Sequence, residues 1–374
     1  MALAASGNVP VATKRVRARA TAASPRIAVV GPSADAVGGQ AVQARALVDG
    51  LRADGVTVRT ISISPSLPTR LRRLPYVRTV LNQALYLPGL LRLASVDVIH
   101  IFSASYWSFL ISAVPAMLVG RLFGKRVILN YHSGEAPDHL ARWGVLVHPW
   151  LSLAHVIVVP SEFLRRVFAE HGYDVAVVPN VVDISTFSYR ARRVLRPRLL
   201  SVRHLEPGYG VGAIIEAFAR VRAAVADATL TVAGSGSEEA VLRARVDALG
   251  LRDAVRFVGR QDRAGLAKLH TDADIFVNAS AIDNQPVSIL EAMASGLPIV
   301  STGPGDIPFM LRDGESGVLV AQRDPGAMAH AVLDLVARPA YAVHLAEAAH
   351  RDVERFSWEC TRTQWAAVYR GHQD

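Results

Sequence analysis

At 374 residues and 51% hydrophobic composition the chain exceeds one compact core of ordinary size and reads as two domains, and its single cysteine, Cys360, excludes an intramolecular disulfide and fits a reducing, cytosolic compartment. The net charge of +9 is uneven: residues 1–197 hold 23 Lys and Arg against 10 Asp and Glu, and residues 198–374 hold 18 against 22. That asymmetry fits either a plain solvated surface or a first half that meets something anionic, a membrane surface or phosphorylated ligands; it argues against nucleic acid, since no recognised binding module accompanies the charge.

Residues 1–24 carry Lys14, Arg15, Arg17 and Arg19 without an acid and lack the apolar core of a secretory signal, which predicts a disordered basic tail. Residues 26–31 read as a short apolar strand, and Gly38-Gly39 opens a helix with Ala44, Leu47, Val48 and Leu51 at helical spacing. Further strands are expected at 56–63, 97–102, 126–131 and 155–160. Between them, residues 69–93 interleave Arg70, Arg72, Arg73, Arg78 and Arg92 with leucines, a basic amphipathic segment that suits an anionic membrane or a connecting helix with its arginines in water. The most apolar stretch, 107–123, is broken by Pro115 and Arg121 and falls short of the roughly 20 residues that span a bilayer, so a buried helix is expected. A basic stretch, 180–198, reads as an interdomain linker. The pattern then restarts, with strands at 199–202, 229–233, 256–258, 275–278 and 299–301. Continuous apolar strands separated by helices predict parallel sheets covered on both faces, hence two doubly wound domains with a ligand in the cleft at the strand C-termini.

The most informative segment is Asp283-Asn284-Gln285-Pro286-Val287-Ser288-Ile289-Leu290-Glu291. Proline stands where a helix begins, one carboxylate lies on the loop and the other a turn into the helix. Free amides near Val287, Ser288 and Ile289, with the helix dipole behind them, suit a diphosphate, and Glu291 suits ribose hydroxyls. The bland alternative is a capped helix with a solvated acid. His132, at the end of the strand 126–131, reads either as a structural histidine or as a hydrogen-bonding group for a ligand in the cleft.

The paired-acid segment resembles the signature of family 4 glycosyltransferases, and matching pieces extend through Gly38-Gly39, Pro179-Asn180 with Asp183 and Phe187, Gly234-Ser235-Gly236, Phe257-Val258-Gly259 and residues 303–313. The resemblance implies a GT-B architecture and a retaining reaction. By it, Asp283 and His132 serve the transferred sugar as catalytic residues, and the donor is bound by Gly38, Gly39, Arg203, His204, Tyr209, Gly234, Val287, Ser288 and Glu291. The family usually has glutamate where Asp283 stands, and an arginine and a lysine for the pyrophosphate where His204 and Tyr209 stand. A divergent branch shares these departures, and Arg203 is the candidate replacement for the lost charge. Asp272-Ala273-Asp274 resembles a metal-binding pair but precedes a strand and reads as structural, so neither metal nor cofactor is expected.

The expected organisation is a tail at 1–24, an acceptor-side domain at 25–180, a linker at 181–198, a nucleotide-sugar domain at 199–340, and helices at 341–374 that return to the first domain, anchored by Trp358 and Trp365. The expected activity is transfer from a UDP- or GDP-linked sugar to a saccharide or lipid-linked acceptor in cell-envelope polysaccharide or glycolipid synthesis, in the cytoplasm and at the inner face of the cell membrane. The rival readings are a sugar-nucleotide epimerase on the same fold and a non-catalytic sugar-nucleotide binder.

Overall fold

A computed structural model describes residues 25–33, 38–64 and 75–371. The basic tail 1–24 and residues 69–74 of the amphipathic segment lie outside the described residues, as do the side chains of 75–78. Six strands, β1 (Ile27–Gly31), β2 (Val58–Ser62), β3 (Val98–Ser103), β4 (Arg126–Tyr131), β5 (Val156–Val159) and β6 (Ala176–Val177), form one parallel sheet in the order β2-β1-β3-β4-β5-β6. Six more, β7 (Arg198–Val202), β8 (Thr229–Ala233), β9 (Val255–Gly259), β10 (Ile275–Asn278), β11 (Ile299–Thr302) and β12 (Val318–Val320), form a second parallel sheet in the order β12-β11-β10-β7-β8-β9. The central strands β1, β3, β4, β10 and β11 are buried along nearly all their length and rich in Val and Ile because they are covered on both faces, whereas edge strand β2 exposes Arg59 and Thr60. Edge strands β6 and β12, two and three residues long, escape a search for apolar runs.

The first sheet carries helices α1 (Gly39–Ala53), α2 (Pro75–Gly89), α3 (Val114–Leu122), α4 (Ala136–Leu151) and α5 (Glu162–Glu170). On one face Ile99, Ile101 and Leu129 pack with Phe109 and Met117, and on the other Val29, Phe102 and Ile128 pack with Leu47 and Trp365. The second sheet carries α6 (Val211–Ala224), α7 (Glu239–Ala248), α8 (Arg263–Asp272), α9 (Val287–Ala294), α10 (Pro325–Ala337) and α11 (Pro339–Val353). Here Leu199, Leu230 and Val232 meet Ile214 and Phe218, while Phe276 and Ile299 meet Leu290 and Met293. Ser161, Asp262 and Asp324 cap α5, α8 and α10 through their side-chain oxygens.

Three local features differ from the expectations. The apolar stretch 107–123 is a short turn, a π-helical turn at Phe109–Ala113 and then α3, because Pro115 lacks the N–H that would continue one helical ladder. The linker is pinned rather than loose: buried Arg192 donates to the carbonyls of Ala273, Ser295, Gly296 and His270, and Arg190 and Arg198 hold buried Asp274. The return to the first domain also starts later than residue 341. Helix α11 buries Ala342, Leu345, Ala349 and Val353 in the second domain's cores, so only helix α12 (Trp358–Arg370) crosses. There the Trp358 ring fills the space above Gly50, where an added Cβ would come within 2.2 Å of it, and Trp365 and Tyr369 join the first domain's core. Val182 N–H donates to Phe356 O at 2.9 Å, tying the two crossings together.

Candidate functional site

In each sheet the strand order reverses once, between β1 and β3 in the first and between β7 and β10 in the second, and the loops that leave those strands open a crevice at the carboxyl ends. The two crevices face each other across a cleft of about 750 Å³. Gly38, Gly39 and one side of α1 line it from the first domain; Arg203, His204, Gly234, Val287, Ser288 and Glu291 line it from the second, and Trp358 closes one edge. Of the residues singled out in the sequence, Tyr209, Asp283 and His132 do not line it.

Arg203 leaves β7 toward β10. Its Nε donates to Asn278 Oδ1 at 2.9 Å, its Nη2 to Ser280 Oγ at 2.7 Å, and it forms an ion pair with Asp283 in which both side chains are 11% exposed. The Tyr209 ring lies under the guanidinium, 4.9 Å from its carbon, so Tyr209 reaches the site through Arg203. Burial lowers the Arg203 pKa to about 10, which still leaves it charged at neutral pH. Gly234 has φ 143°, and a Cβ there would lie 1.8 Å from Arg203 O, so the close passage of β8 past this residue requires glycine.

Helix α9 starts at Pro286, with no side-chain cap. Ile289 N–H donates to Pro286 O at 3.1 Å, so of the three amides expected to be free it is occupied, while Val287 and Ser288 N–H meet no backbone acceptor among the described residues. Ser288 Oγ is buried and without a partner. One turn on, Glu291 is 7% exposed, accepts no hydrogen bond among the described residues, and is pushed up to about pH 8 by burial, with the distant Arg263 guanidinium opposing. An unpartnered hydroxyl, two amides at a helix start and a bare carboxyl, all on one wall, form a set of hydrogen-bonding groups that the protein itself does not satisfy.

Gly38, at φ 132°, is the N-cap of α1 and faces the His204 ring, and Gly39 faces Val287, so the glycine loop sits directly across from the α9 start. Asp283 is clamped by backbone: a Cβ at Gly305 would lie 2.2 Å from Asp283 O, and one at Gly134 would lie 3.1 Å from Asp283 C. Gly134 belongs to the loop after β4, so the first domain touches the acid segment directly. Ser161 pairs with Asn284 and Asn180 with Gln285 beside that contact. His132, on the same loop, lines a separate cavity of about 10 Å³ behind the cleft, with its ring 5.2 Å from Phe102. Burial depresses its pKa to about 3, leaving the imidazole neutral. His100 is fully buried between Tyr369 OH and Asn130, a structural role. Sequence reading missed the Arg203–Asp283 pair, the interdomain contacts of Ser161 and Asn180, and Arg263, paired with Asp183 at the cleft rim. No motif marked Ser161 or Arg263; Asn180 and Asp183 were marked only as linker residues.

Comparison with known proteins follows the same division of the chain. Residues 37–186 match the family model described as Glycosyltransferase Family 4, and residues 190–352 match Glycosyl transferases group 1. The chain is 30% identical over 291 residues to a glycogen synthase of Mycobacterium tuberculosis, covering 73% of this chain and 68% of that one. It is 28% identical over 287 residues to a phosphatidyl-myo-inositol mannosyltransferase of Mycobacterium leprae, covering 73% of each. Its fold is similar to that of Anabaena HepE in complex with UDP and glucose, with a TM-score of 0.73 and 16% identity over 93% of this chain and 100% of that one. It is also similar to sucrose-phosphate synthase from Thermosynechococcus elongatus, with a TM-score of 0.75 and 20% identity over 93% and 98%. These likenesses do not favour the epimerase or the non-catalytic binder. Two family models that together span most of the chain, with a relative at 30% identity, show that it belongs to the family 4 glycosyltransferases, enzymes of the GT-B fold.

Proposed function

We propose that the cleft binds a nucleoside diphosphate sugar and that the enzyme transfers the sugar, with retention, to a hydroxyl of a saccharide or lipid-linked acceptor. The observation that carries this is the bare, buried Glu291 carboxyl one turn beyond two free amides and the unpartnered Ser288 hydroxyl. Ribose hydroxyls satisfy the carboxyl, and the diphosphate satisfies the amides and hydroxyl at the α9 start, where the helix dipole favours negative charge. The glycine loop at Gly38-Gly39 closes on the same phosphates from the first domain, with His204 beside it. Arg203 supplies the fixed positive charge that His204 and Tyr209 lack, and holds Asp283 toward the transferred sugar. His132 serves that sugar as a neutral hydrogen-bonding group. The bond from the sugar to the diphosphate breaks, the acceptor oxygen forms its bond on the same face, and the hydroxyl proton passes to the leaving diphosphate oxygen. Positioning and stabilisation of charge on the leaving diphosphate do most of the catalysis.

UDP is the first base to test, since HepE is described in complex with UDP and glucose. Calorimetric titration with UDP, GDP and their sugars decides the point: one of them binds the parent and loses affinity in Glu291→Gln. Equal affinity in both proteins sinks the ribose assignment. Relatives named a phosphatidyl-myo-inositol mannosyltransferase and a D-inositol 3-phosphate glycosyltransferase make a lipid-linked or polyol-phosphate acceptor a class to screen beside saccharides.

The first domain further rests, in this reading, on an anionic membrane at the cytoplasmic face, where envelope glycolipids and polysaccharides are assembled. No helix among the described residues is long and apolar enough to cross a bilayer. Helix α2 and the turn after it bury Tyr86, Leu90 and Leu93 while exposing Val80, Leu85, Leu87 and Leu91, beside exposed Arg92. Co-sedimentation with anionic vesicles that weakens with salt supports it; indifference to anionic and neutral vesicles alike removes it.

A further inference from the structure

Tyr106 stands apart in the first domain. It adopts φ 58°, a left-handed backbone that a bulky aromatic residue rarely takes, and the π-helical turn Phe109–Ala113 follows two residues later. Two irregularities in succession at the carboxyl end of β3 hold neighbouring side chains where a regular turn would not put them. Trp107 is 66% exposed, and its ring meets Trp143 edge to face at 5.3 Å, which leaves a broad face open to solvent. Tyr106 packs edge-on against Trp143 at 5.5 Å and donates its hydroxyl to Asp138 Oδ2 at 2.8 Å. Exposed Glu135 stands near the Tyr106 hydroxyl.

We propose that Tyr106, Trp107 and Trp143 form a shelf for a pyranose ring of the acceptor, with Glu135 and Asp138 receiving its hydroxyls. The inference rests on the glycosyl-transfer reading and gives the acceptor its place. An aromatic face carries negative charge in its quadrupole, which suits the weakly positive C–H edge of a sugar, and carboxylates are strong acceptors for sugar hydroxyls. The shelf is next to the chemistry: Glu135 follows Gly134, which abuts Asp283. It is distinct from the nucleotide cleft, which none of these residues lines, so donor and acceptor bind side by side. Asp138 also pairs with exposed Arg142 at 2.8 Å, which leaves Glu135, among the described residues, as the uncompensated charge beside the tryptophan, so the vesicle arm of the test separates this shelf from the leucine-bearing face of α2.

The test is calorimetric titration of methyl glucoside, methyl mannoside, methyl galactoside, methyl N-acetylglucosaminide and myo-inositol into the UDP-saturated enzyme, as parent, Trp107→Ala and Trp107→Phe. At least one methyl glycoside binds the parent, weakens roughly tenfold in Trp107→Ala, and recovers most of its affinity in Trp107→Phe. UDP affinity and melting temperature stay level across the three, because Trp107 is exposed and outside the nucleotide cleft. Glycosides that bind parent and Trp107→Ala alike, or none that binds the parent while UDP does, overturn the shelf and leave the donor reading standing. Failure of every nucleotide to bind the parent removes the reading beneath it, and the shelf with it. Loss of vesicle binding in Trp107→Ala with glycoside affinity unchanged also overturns the shelf and assigns the tryptophan to a lipid surface.

Discussion

The two walls of the cleft are built by opposite means. The second domain presents ionised and polar side chains already wired to one another: Arg203 is held by Asn278, Ser280, Asp283 and the Tyr209 ring before any ligand arrives. The first domain presents backbone opposite the α9 start, a glycine pair at Gly38-Gly39 and the contact of Gly134 with Asp283, together with α1 side chains such as Val42, Arg45 and Asp49. A preorganised charged wall suits a donor whose diphosphate is the same in every turnover, and a bare backbone wall leaves room to close over it. The difference also says where substitutions act: in the second domain they remove charge, and in the first they change fit.

Breaking the wiring gives the largest expected effect. Arg203→Ala leaves Asp283 buried without its partner, a change that costs about 3–5 kcal/mol when a buried pair is split. Chemical denaturation should show a loss of that order, and turnover should fall with it. Arg203→Lys keeps the charge but loses the planar fork that spans Asn278, Ser280 and Asp283, so it should recover part of the stability and less of the rate. A melting curve for Arg203→Ala that matches the parent would show that the pair does not hold the floor of the cleft.

Glu291→Gln comes next and reads on two axes. Removing a charge-assisted hydrogen bond to ribose should weaken nucleotide binding by about 1.5–3 kcal/mol, roughly ten- to hundredfold. Stability should move the other way. The folded pKa of about 8 lies above the unfolded 4.5, so between those values the folded chain holds a proton that the unfolded chain has released. Stability of the ligand-free parent therefore falls as pH rises through that window, and the glutamine variant lacks this slope. Ribose hydroxyls donate to the ionised carboxyl, so parent affinity should climb toward pH 8 relative to the variant. Parallel stability profiles for the two proteins would place Glu291 in water rather than in the wall.

How much of this was legible in the sequence follows the same division. The strands are apolar runs, and the α9 start is announced by Pro286 and flanked by two acids, so this helix start and its place on the cleft wall were readable almost to the residue. The direction of Arg203 was not, because a side chain at a strand end turns to whichever partner the neighbouring strand supplies, and β10 follows β7 by more than seventy residues. Arg190 and Arg192 read as part of a basic linker, yet their guanidinium groups reach carbonyls left open at the ends of α8 and α9. On the first domain's side, nothing in the sequence marks Tyr106 as left-handed, since only glycine, asparagine and aspartate advertise that conformation. Trp358 and Trp365 did mark the helix that crosses, but the domain boundary was placed sixteen residues early, at 341 rather than 357, because an alanine-rich stripe in α11 does not say which core it fills.

Tyr209 separates fit from charge on the donor side. Its ring supports the Arg203 guanidinium, a contact of about 0.5–2 kcal/mol. Tyr209→Leu should lower nucleotide affinity by no more than about thirtyfold, and Tyr209→Phe, which keeps the face, should match the parent. Replacing it with lysine, the usual family residue, sets a second cation against Arg203 and should destabilise the ligand-free fold. If Tyr209→Lys instead binds nucleotide more tightly at no cost in melting temperature, the lysine reaches the phosphates and Arg203 is not the replacement charge.

His132 carries the smallest expected effect and tests the seam between the walls. It sits on the β4 loop whose Gly134 touches Asp283, yet its ring lies against Phe102 in a cavity behind the cleft. With its pKa pushed down to about 3 by burial, the imidazole stays neutral between pH 5 and 9 and adds no titrating limb to a pH–rate profile across that range. What it offers is a neutral hydrogen bond, about 0.5–1.5 kcal/mol, so His132→Ala should slow turnover some two- to tenfold. His132→Gln, which keeps a neutral donor and acceptor, should recover part of that rate, and neither variant should remove a limb of the pH–rate profile. The melting temperature separates this from packing. A loss of several degrees in both variants with turnover per folded enzyme unchanged would make the ring a wedge behind Phe102, and would leave the contact of the β4 loop with the Asp283 segment to Gly134, beside the Ser161–Asn284 and Asn180–Gln285 pairs.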